Sequence, residues 1–283
     1  MIITVMQGDT LFSIANRYNI PSDKIAADNG LPTDGELIVG QSLILLEAQS
    51  TLDITQPESV QGVSQRTGIP ERTLYRNNIF LEGQPEIPAQ SNIVLSYVNE
   101  PTLSKFIGGY AYDFIDQRLL DTTVYYMTYL MPFTYGFTPD GTLISPDDQR
   151  LIQTARRTGA SPLMHLSTLT EQGNFSNELA NALLTNPEAR ENLVQNSLQN
   201  VIDKGYDGID IDFEFLFPQD RQPYVDFIAR MREVMNENGY ICIVAVPPKT
   251  SDSQMGLLYE GVDYAGLGEA ADYVLCMTYE WGF

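Results

Sequence analysis

Residues 206–215 read YDGIDIDFEF. Four carboxylates, Asp207, Asp210, Asp212 and Glu214, fall in this stretch, with Gly208, Ile209, Ile211 and Phe213 between them. Side chains of a β-strand point alternately to its two faces. A strand here places Asp210, Asp212 and Glu214 on one face and Ile209, Ile211, Phe213 and Phe215 on the other. Asp207 precedes the strand and reads as a turn or structural residue. Carboxylates stacked at a backbone spacing of ~7 Å cannot all ionise without a large penalty. A proton is then shared and at least one pKa rises, which suits a general acid near neutral pH. Two other readings fit the same residues: a half-exposed strand with solvated acids, and an oxygen-rich magnesium or calcium site. No glycine-containing calcium loop surrounds the acids, and no metal is expected.

Working outward, apolar runs at 106–112, 123–131, 162–167, 240–246 and 273–279 read as further strands. Helical patterns lie near 146–158, 187–204 and 219–238. Apolar strands alternating with helices predict a parallel sheet covered on both faces, either doubly wound or a (β/α)8 barrel. In a barrel the apolar face of 208–213 packs on the outer helices. The acids point into the lumen and rise toward the C-terminal rim, where barrel enzymes carry their chemistry. No G-x-G-x-x-G or P-loop follows any strand, so a nucleotide site has no support.

Upstream, residues 1–48 and 49–97 each read as strand, helix, helix, strand. Both carry an Ile-Pro step between the helices, an Asn at the end of the second helix and a Gln before the closing strand. Thr10 is a candidate N-cap for the first helix, and Asn29 with Gly30 ends the second. Residues 98–105, VNEPTLSK, mark the boundary to a third region, 101–283.

Composition narrows the partners. A net charge of −21 argues against nucleic acid and against anionic membranes. The N-terminus lacks the features of a secretory signal, and no run of eighteen apolar residues occurs. Cys242 and Cys276 sit in apolar surroundings, without zinc spacing, and both are expected as buried free thiols. One histidine, His165, makes a histidine-based triad or a multi-histidine metal site improbable.

Two resemblances sharpen the reading. VMQGDTLFSIANRYNIPSDKIAADNGLPTDGELIVGQSLIL, within 1–48, resembles a LysM module, a binder of N-acetylglucosamine-containing glycans. That resemblance implies a shallow groove between Gly8, Asp9 and Thr10 and the loop of Asn29, Gly30 and Leu31. The second copy has QPESV where the first has GDTL, and resembles a diverged LysM.

DGIDIDFE resembles the D-x-x-D-x-D-x-E signature of glycoside hydrolase family 18, whose members are (β/α)8 barrels. MTYEWG, 277–282, resembles the sixth-strand motif of that family, with Glu280 in place of the usual Asp. HLSTL stands where many chitinases have Ser-x-Gly-Gly. With paired LysM-like modules in front, the arrangement is most similar to bacterial spore cortical fragment-lytic enzymes.

The resemblance implies substrate-assisted cleavage beside N-acetylglucosamine in peptidoglycan, without a cofactor. Glu214 is implied as proton donor, Asp212 as partner of the 2-acetamido group and Asp210 as its tuning neighbour. Tyr279 is implied as a donor to the acetamido group, and Tyr110, Met277, Glu280 and Trp281 as lining of the sugar subsite. The alternatives are a non-catalytic, lectin-like binder of peptidoglycan or chitin, and an inactive fragment. The resemblance to cortical fragment-lytic enzymes further implies synthesis in the cytoplasm and deposition in the spore coat and cortex region. Residues 101–283 fall short of the ~250 residues of a complete barrel, and six strands are readable. An incomplete barrel, missing its last two strands, is expected.

Overall fold

A computed structural model describes residues 1–98, 105–170 and 174–279. By their contacts they form two units: Met1–Lys105 with Gln117–Tyr126, and Phe106–Asp116 with the chain from Met127 onward.

In the first unit, β1 (Ile2–Thr4) is followed by α1 (Leu11–Tyr18), α2 (Ser22–Asp28) and β2 (Ser42–Ile44), which pairs antiparallel with β1. Leu11, Ile14 and Ala15 recur at helical spacing, and they bury against Ile25, Ala26 and Leu43. Thr10 caps α1: its Oγ1 accepts from Ser13 N at 3.0 Å, and Ser13 Oγ accepts from Thr10 N at 2.9 Å. Such a reciprocal cap satisfies two orphan donors of the first turn.

The order then repeats as β3 (Ala48–Ile54), β4 (Glu58–Ser59), α3 (Val60–Thr67), α4 (Glu71–Asn77), β5 (Glu86–Ile87) and β6 (Ser91–Tyr97). Strands β3 and β6 pair antiparallel. Ser59 caps α3 as Thr10 caps α1, and the Glu58–Arg66 pair stands where Asp9–Arg17 stands in the first copy. Asn29 and Asn78 play one role twice. Each carboxamide donates to its own helix, to Ile25 O or Leu74 O at 2.8 Å. Each also donates to the closing strand, to Ile44 O at 2.8 Å or Val94 O at 2.9 Å, and accepts that residue's N–H at 2.7 Å.

Helix α5 (Gln117–Thr123) and the 3-10 turn Val124–Tyr126 fold onto the second repeat. Tyr125 stacks on Tyr75 at 4.0 Å, and Arg72 and Arg76 donate to Tyr125 O at 3.1 and 2.7 Å. The strand expected from residue 123 therefore starts at Tyr129: Val124 and Tyr125 are buried in this packing instead.

The second unit runs β7 (Gly108–Tyr112), β8 (Tyr129–Phe133), β9 (Gly136–Phe137), β10 (Leu143–Ile144), α6 (Gln149–Thr158), β11 (Ser161–Pro162) and β12 (Met164–Ser167). It continues with α7 (Asn177–Leu184), α8 (Pro187–Lys204), β13 (Gly208–Asp212), α9 (Arg221–Glu237), β14 (Ile241–Val246), α10 (Tyr264–Ala270) and β15 (Tyr273–Cys276). Strands β7, β8 and β11 pair in parallel, as do β12, β13, β14 and β15. Only Leu163 separates β11 from β12, and a parallel bridge from Tyr135 to Leu166 continues the β8 side. The strands thus lie side by side in chain order, with helices in the connections.

Period-2 alternation divides the core. Met164, Leu166, Ile209, Ile211, Phe213, Cys242, Val244 and Val246 bury against helices α7 to α10. Phe213 stacks on Phe137, Tyr224 and Phe227, with ring centres 5.3–5.6 Å apart. The opposite face carries Tyr110, Tyr129, Met131, Leu163, Ile241, Ile243 and Leu275. Gly208 is required where β13 enters: a Cβ there would lie 2.3 Å from Ile241 O. Asp207 is structural, gripping the Arg156 guanidinium at 2.7 and 2.8 Å. Cys242 is buried as expected, whereas Cys276 is exposed. Among the described residues β15 pairs on one side only, with β14. No helix among the described residues is long and apolar enough to cross a membrane.

Candidate active site

The register of β12 against β13 builds the site. It sets His165 opposite Asp210 and Ser167 opposite Asp212, all on the face away from the helices. Asp210 is fully buried, and its Oδ2 accepts from the Tyr110 hydroxyl at 2.9 Å and meets His165 Nδ1 at 2.8 Å. Asp212 is 5% exposed, with Oδ2 at 4.0 Å from His165 Nε2. Burial, with the nearby charges of Glu214 and Asp210 and against the pull of His165, pushes the Asp212 carboxyl up to about 7. Burial and the charge of Asp210 also push the Tyr110 phenol upward, so it stays a donor. Three buried atoms, His165 Nε2, Asp210 Oδ1 and Asp212 Oδ1, have no hydrogen-bond partner among the described residues.

Glu214 lies two residues beyond the end of β13 and is half-buried. Directly after it Phe215 takes φ 57°, a left-handed conformation uncommon outside glycine, and the chain turns out of the strand. Met277 is buried, its N–H bonded to Val246 O at 2.9 Å. Tyr279 is exposed, and its phenol adds to the upward push on Tyr110. Glu280 and Trp281 lie outside the described residues.

An aromatic path leads from the surface to Asp210. Phe114 is 79% exposed and stacks on Tyr112 at 4.9 Å. Tyr112 meets Phe133 at 4.9 Å, and Phe133 stacks on His165 at 4.9 Å. The sequence alone does not point to Phe133, Tyr112 or Phe114, and a lone His165 speaks there only against a triad or a multi-histidine metal site. The signal for His165 was its parity: it alternates with Ser167 in a strand next to the acidic one.

A second candidate site lies in the first unit. A cavity of 450 Å³ opens between Asp9–Phe12 and Thr33–Leu37. Asp9 and Thr10 line it, whereas Gly8, Asn29, Gly30 and Leu31 do not. The Asn29 carboxamide is consumed by its three backbone bonds, and Leu31 packs on the module core. The Met6 N–H and then Arg17 hold the Asp9 carboxyl below the usual range. In the second repeat the matching loops are joined: Glu58 pairs with Ile87 and Ser59 with Glu86, and Val60 N donates to Pro85 O at 2.9 Å.

Comparison with known proteins follows this geometry. The sequence profile of Glycosyl hydrolases family 18 matches residues 109–282. The chain belongs to this family. The LysM domain profile matches residues 3–45. The fold is accordingly TIM-barrel-like with a LysM domain in front. The chain is 30% identical to a cortical fragment-lytic enzyme of Bacillus anthracis, over 100% of this chain and 66% of that protein. The Bacillus subtilis (strain 168) cortical fragment-lytic enzyme is 29% identical over the same shares. The crystal structure of the Bacillus megaterium QM B1551 spore cortex-lytic enzyme SleL superposes with a TM-score of 0.72 at 28% identity. It is covered to 66%, by 100% of this chain. The chain thus spans about two thirds of the length of these relatives.

Proposed function

We propose that the second unit hydrolyses the β-1,4 bond next to N-acetylglucosamine in spore-cortex peptidoglycan, with the first unit holding it on the glycan. The observation that carries this reading is the buried carboxylate pair beside Glu214, with Asp212 poised near neutrality. The names of the cortex-lytic relatives support the substrate, and membership of family 18 supports the chemistry. We read the parallel strands as six consecutive staves of the barrel, and residues 1–48 and 49–97 as two βααβ modules.

In this mechanism the substrate's own acetamido oxygen attacks the anomeric carbon. Glu214 gives its proton to the departing glycosidic oxygen, then takes one from the incoming water. Asp212 accepts from the acetamido N–H, and as an anion it stabilises the cyclic cation. Asp210, fixed by Tyr110 and His165, orients Asp212. Tyr279 donates to the acetamido group, and Tyr110 and Met277 line the sugar subsite. Tyr112 and Phe114 extend that lining outward. Two displacements at the anomeric carbon give net retention. Glycan capture belongs to the cavity of the first repeat, because the second repeat's loops are zipped. A role in the spore coat and cortex region follows from the substrate.

The test is release of soluble fragments from purified cortex peptidoglycan, with the first-formed anomer read by NMR. Fragments ending in N-acetylglucosamine with retained configuration are expected from the parent chain and not from Glu214→Gln. Binding without release by the parent chain would favour the lectin-like alternative.

A further inference from the structure

We propose that His165 is a proton-holding positioning residue, sharing one proton between its Nε2 and Asp212 Oδ2 while Asp210 anchors its Nδ1. The catalytic meaning of this exchange rests on the glycosidase reading above; the exchange itself does not.

The ring cannot turn. Phe133 stacks on it at 4.9 Å and 25°, and Tyr110 closes it edge-on at 4.8 Å. His165 is fully buried, so solvent cannot serve its nitrogens directly. Its Nδ1 lies 2.8 Å from an Asp210 oxygen that already accepts from Tyr110. An oxygen that accepts from the phenol is placed to accept from the ring as well, so Nδ1 carries a hydrogen. The ring's remaining freedom is at Nε2, which is either a lone pair or an N–H. A buried histidine with a purely structural role has both nitrogens satisfied. Among the described residues Nε2 has no hydrogen-bond partner, and Asp212 Oδ2 lies 4.0 Å from it. A carboxyl rotation of about 1 Å brings the two to hydrogen-bond distance.

Both protonation isomers then fit one geometry. In the first, Asp212 is a neutral acid donating to the Nε2 lone pair. In the second, the Asp212 O–H bond has broken, an Nε2–H bond has formed, and an imidazolium faces a carboxylate. No electron changes hands and no other reactant is needed. The transfer makes Asp212 anionic as positive charge develops on the sugar, and the proton returns when that charge is gone.

The titratable groups around the ring are few. Tyr110 faces it from β7, and Asp210 and Asp212 from β13, with Glu214 acting on Asp212. Tyr224 on α9 feels both aspartates from behind, and Cys242 on β14 feels Asp272 and then Asp210. Phe133 of β8 is uncharged. Among the described residues no lysine or arginine lies within ion-pair distance of Asp210 or Asp212.

The test uses a property of the chain: it has one histidine, so a tag-free protein gives one set of ring ¹⁵N signals. Nδ1 is expected to stay protonated across the neutral range while Nε2 titrates. In Asp212→Asn the Nε2 midpoint should fall by about one unit or more, a tenfold weaker hold on the proton. Reciprocally, in His165→Gln the ¹³C-observed Asp212 carboxyl should titrate higher than in the parent chain. The acid limb of the kcat/KM profile should move the same way. An Nε2 midpoint unchanged in a folded Asp212→Asn protein would overturn the proposal. So would an Asp212 midpoint unchanged in His165→Gln. Neither resonance measurement needs turnover, so both are read independently of whether the chain hydrolyses glycan.

Discussion

Replacing Asp212 by Asn should stabilise the second unit, and the gain should depend on pH. Asp212 is 5% exposed, and burial is the main reason its carboxyl moves from 3.8 to about 7. Between those values the folded chain holds a proton that the unfolded chain has lost. Unfolding free energy therefore falls as pH rises through this window. At ~1.4 kcal/mol per unit, the roughly three units amount to about 4 kcal/mol. Below the unfolded value both states are protonated and the proton's contribution is fully present. Above the folded value it is gone, and the protein must bury an anion. Asn mimics the neutral acid at every pH. The variant should match the parent near pH 4 and exceed it by about 4 kcal/mol near pH 8. For a unit of this size that corresponds to roughly 8–16 °C in Tm. Calorimetry of both proteins at the two pH values reads the difference directly. An equal gap at both would refute the reasoning, because only a pH-independent packing change could produce it.

Further expectations follow from single contacts. Glu214→Gln should lower kcat by about 10²–10⁴-fold, the usual worth of a general acid, with KM little changed. Thr33→Trp, which fills the cavity of the first repeat, should release the chain from insoluble peptidoglycan in a pull-down. Gln61→Trp, at the exposed second-repeat counterpart of Phe12, should not. Gly208→Ala forces a Cβ to within 2.3 Å of Ile241 O and should cost about 1–3 kcal/mol in denaturant unfolding.

Alternation is why the centre of the site was legible. In 208–213 the acids and the apolar residues separate at period two, and the structure keeps that separation, with Ile209 and Ile211 against helices and Asp210 and Asp212 opposite. Helix α8 was legible for local reasons: Asn186 caps it, Pro187 opens it and Gly205 closes it at φ 73°. Residues 123–126 misled because Val and Tyr favour strands, but a stack on Tyr75 and two arginine bonds to Tyr125 O decided otherwise. That is tertiary packing overriding propensity. His165 was illegible as a partner of Asp210 because strand register, not sequence spacing, joins residues 45 apart.

On the reading proposed above, the two repeats of the first unit show how small the distance is between a binding module and a structural one. They share the N-cap, the acid–arginine pair and the asparagine clamp, and each of these contacts lies within its own module. None of them separates the module whose loops stand apart from the one whose loops are joined. The separation lies in whether two loops pair. Asp9–Phe12 and Thr33–Leu37 stay apart around 450 Å³, while Glu58–Ser59 and Glu86–Ile87 form a ladder that consumes the backbone groups a glycan would meet. The zipped repeat uses its surface within its own chain: Glu82 pairs with Arg118, and Gly83 lies so close to Asp121 that a Cβ would sit 2.7 Å from its carbonyl oxygen.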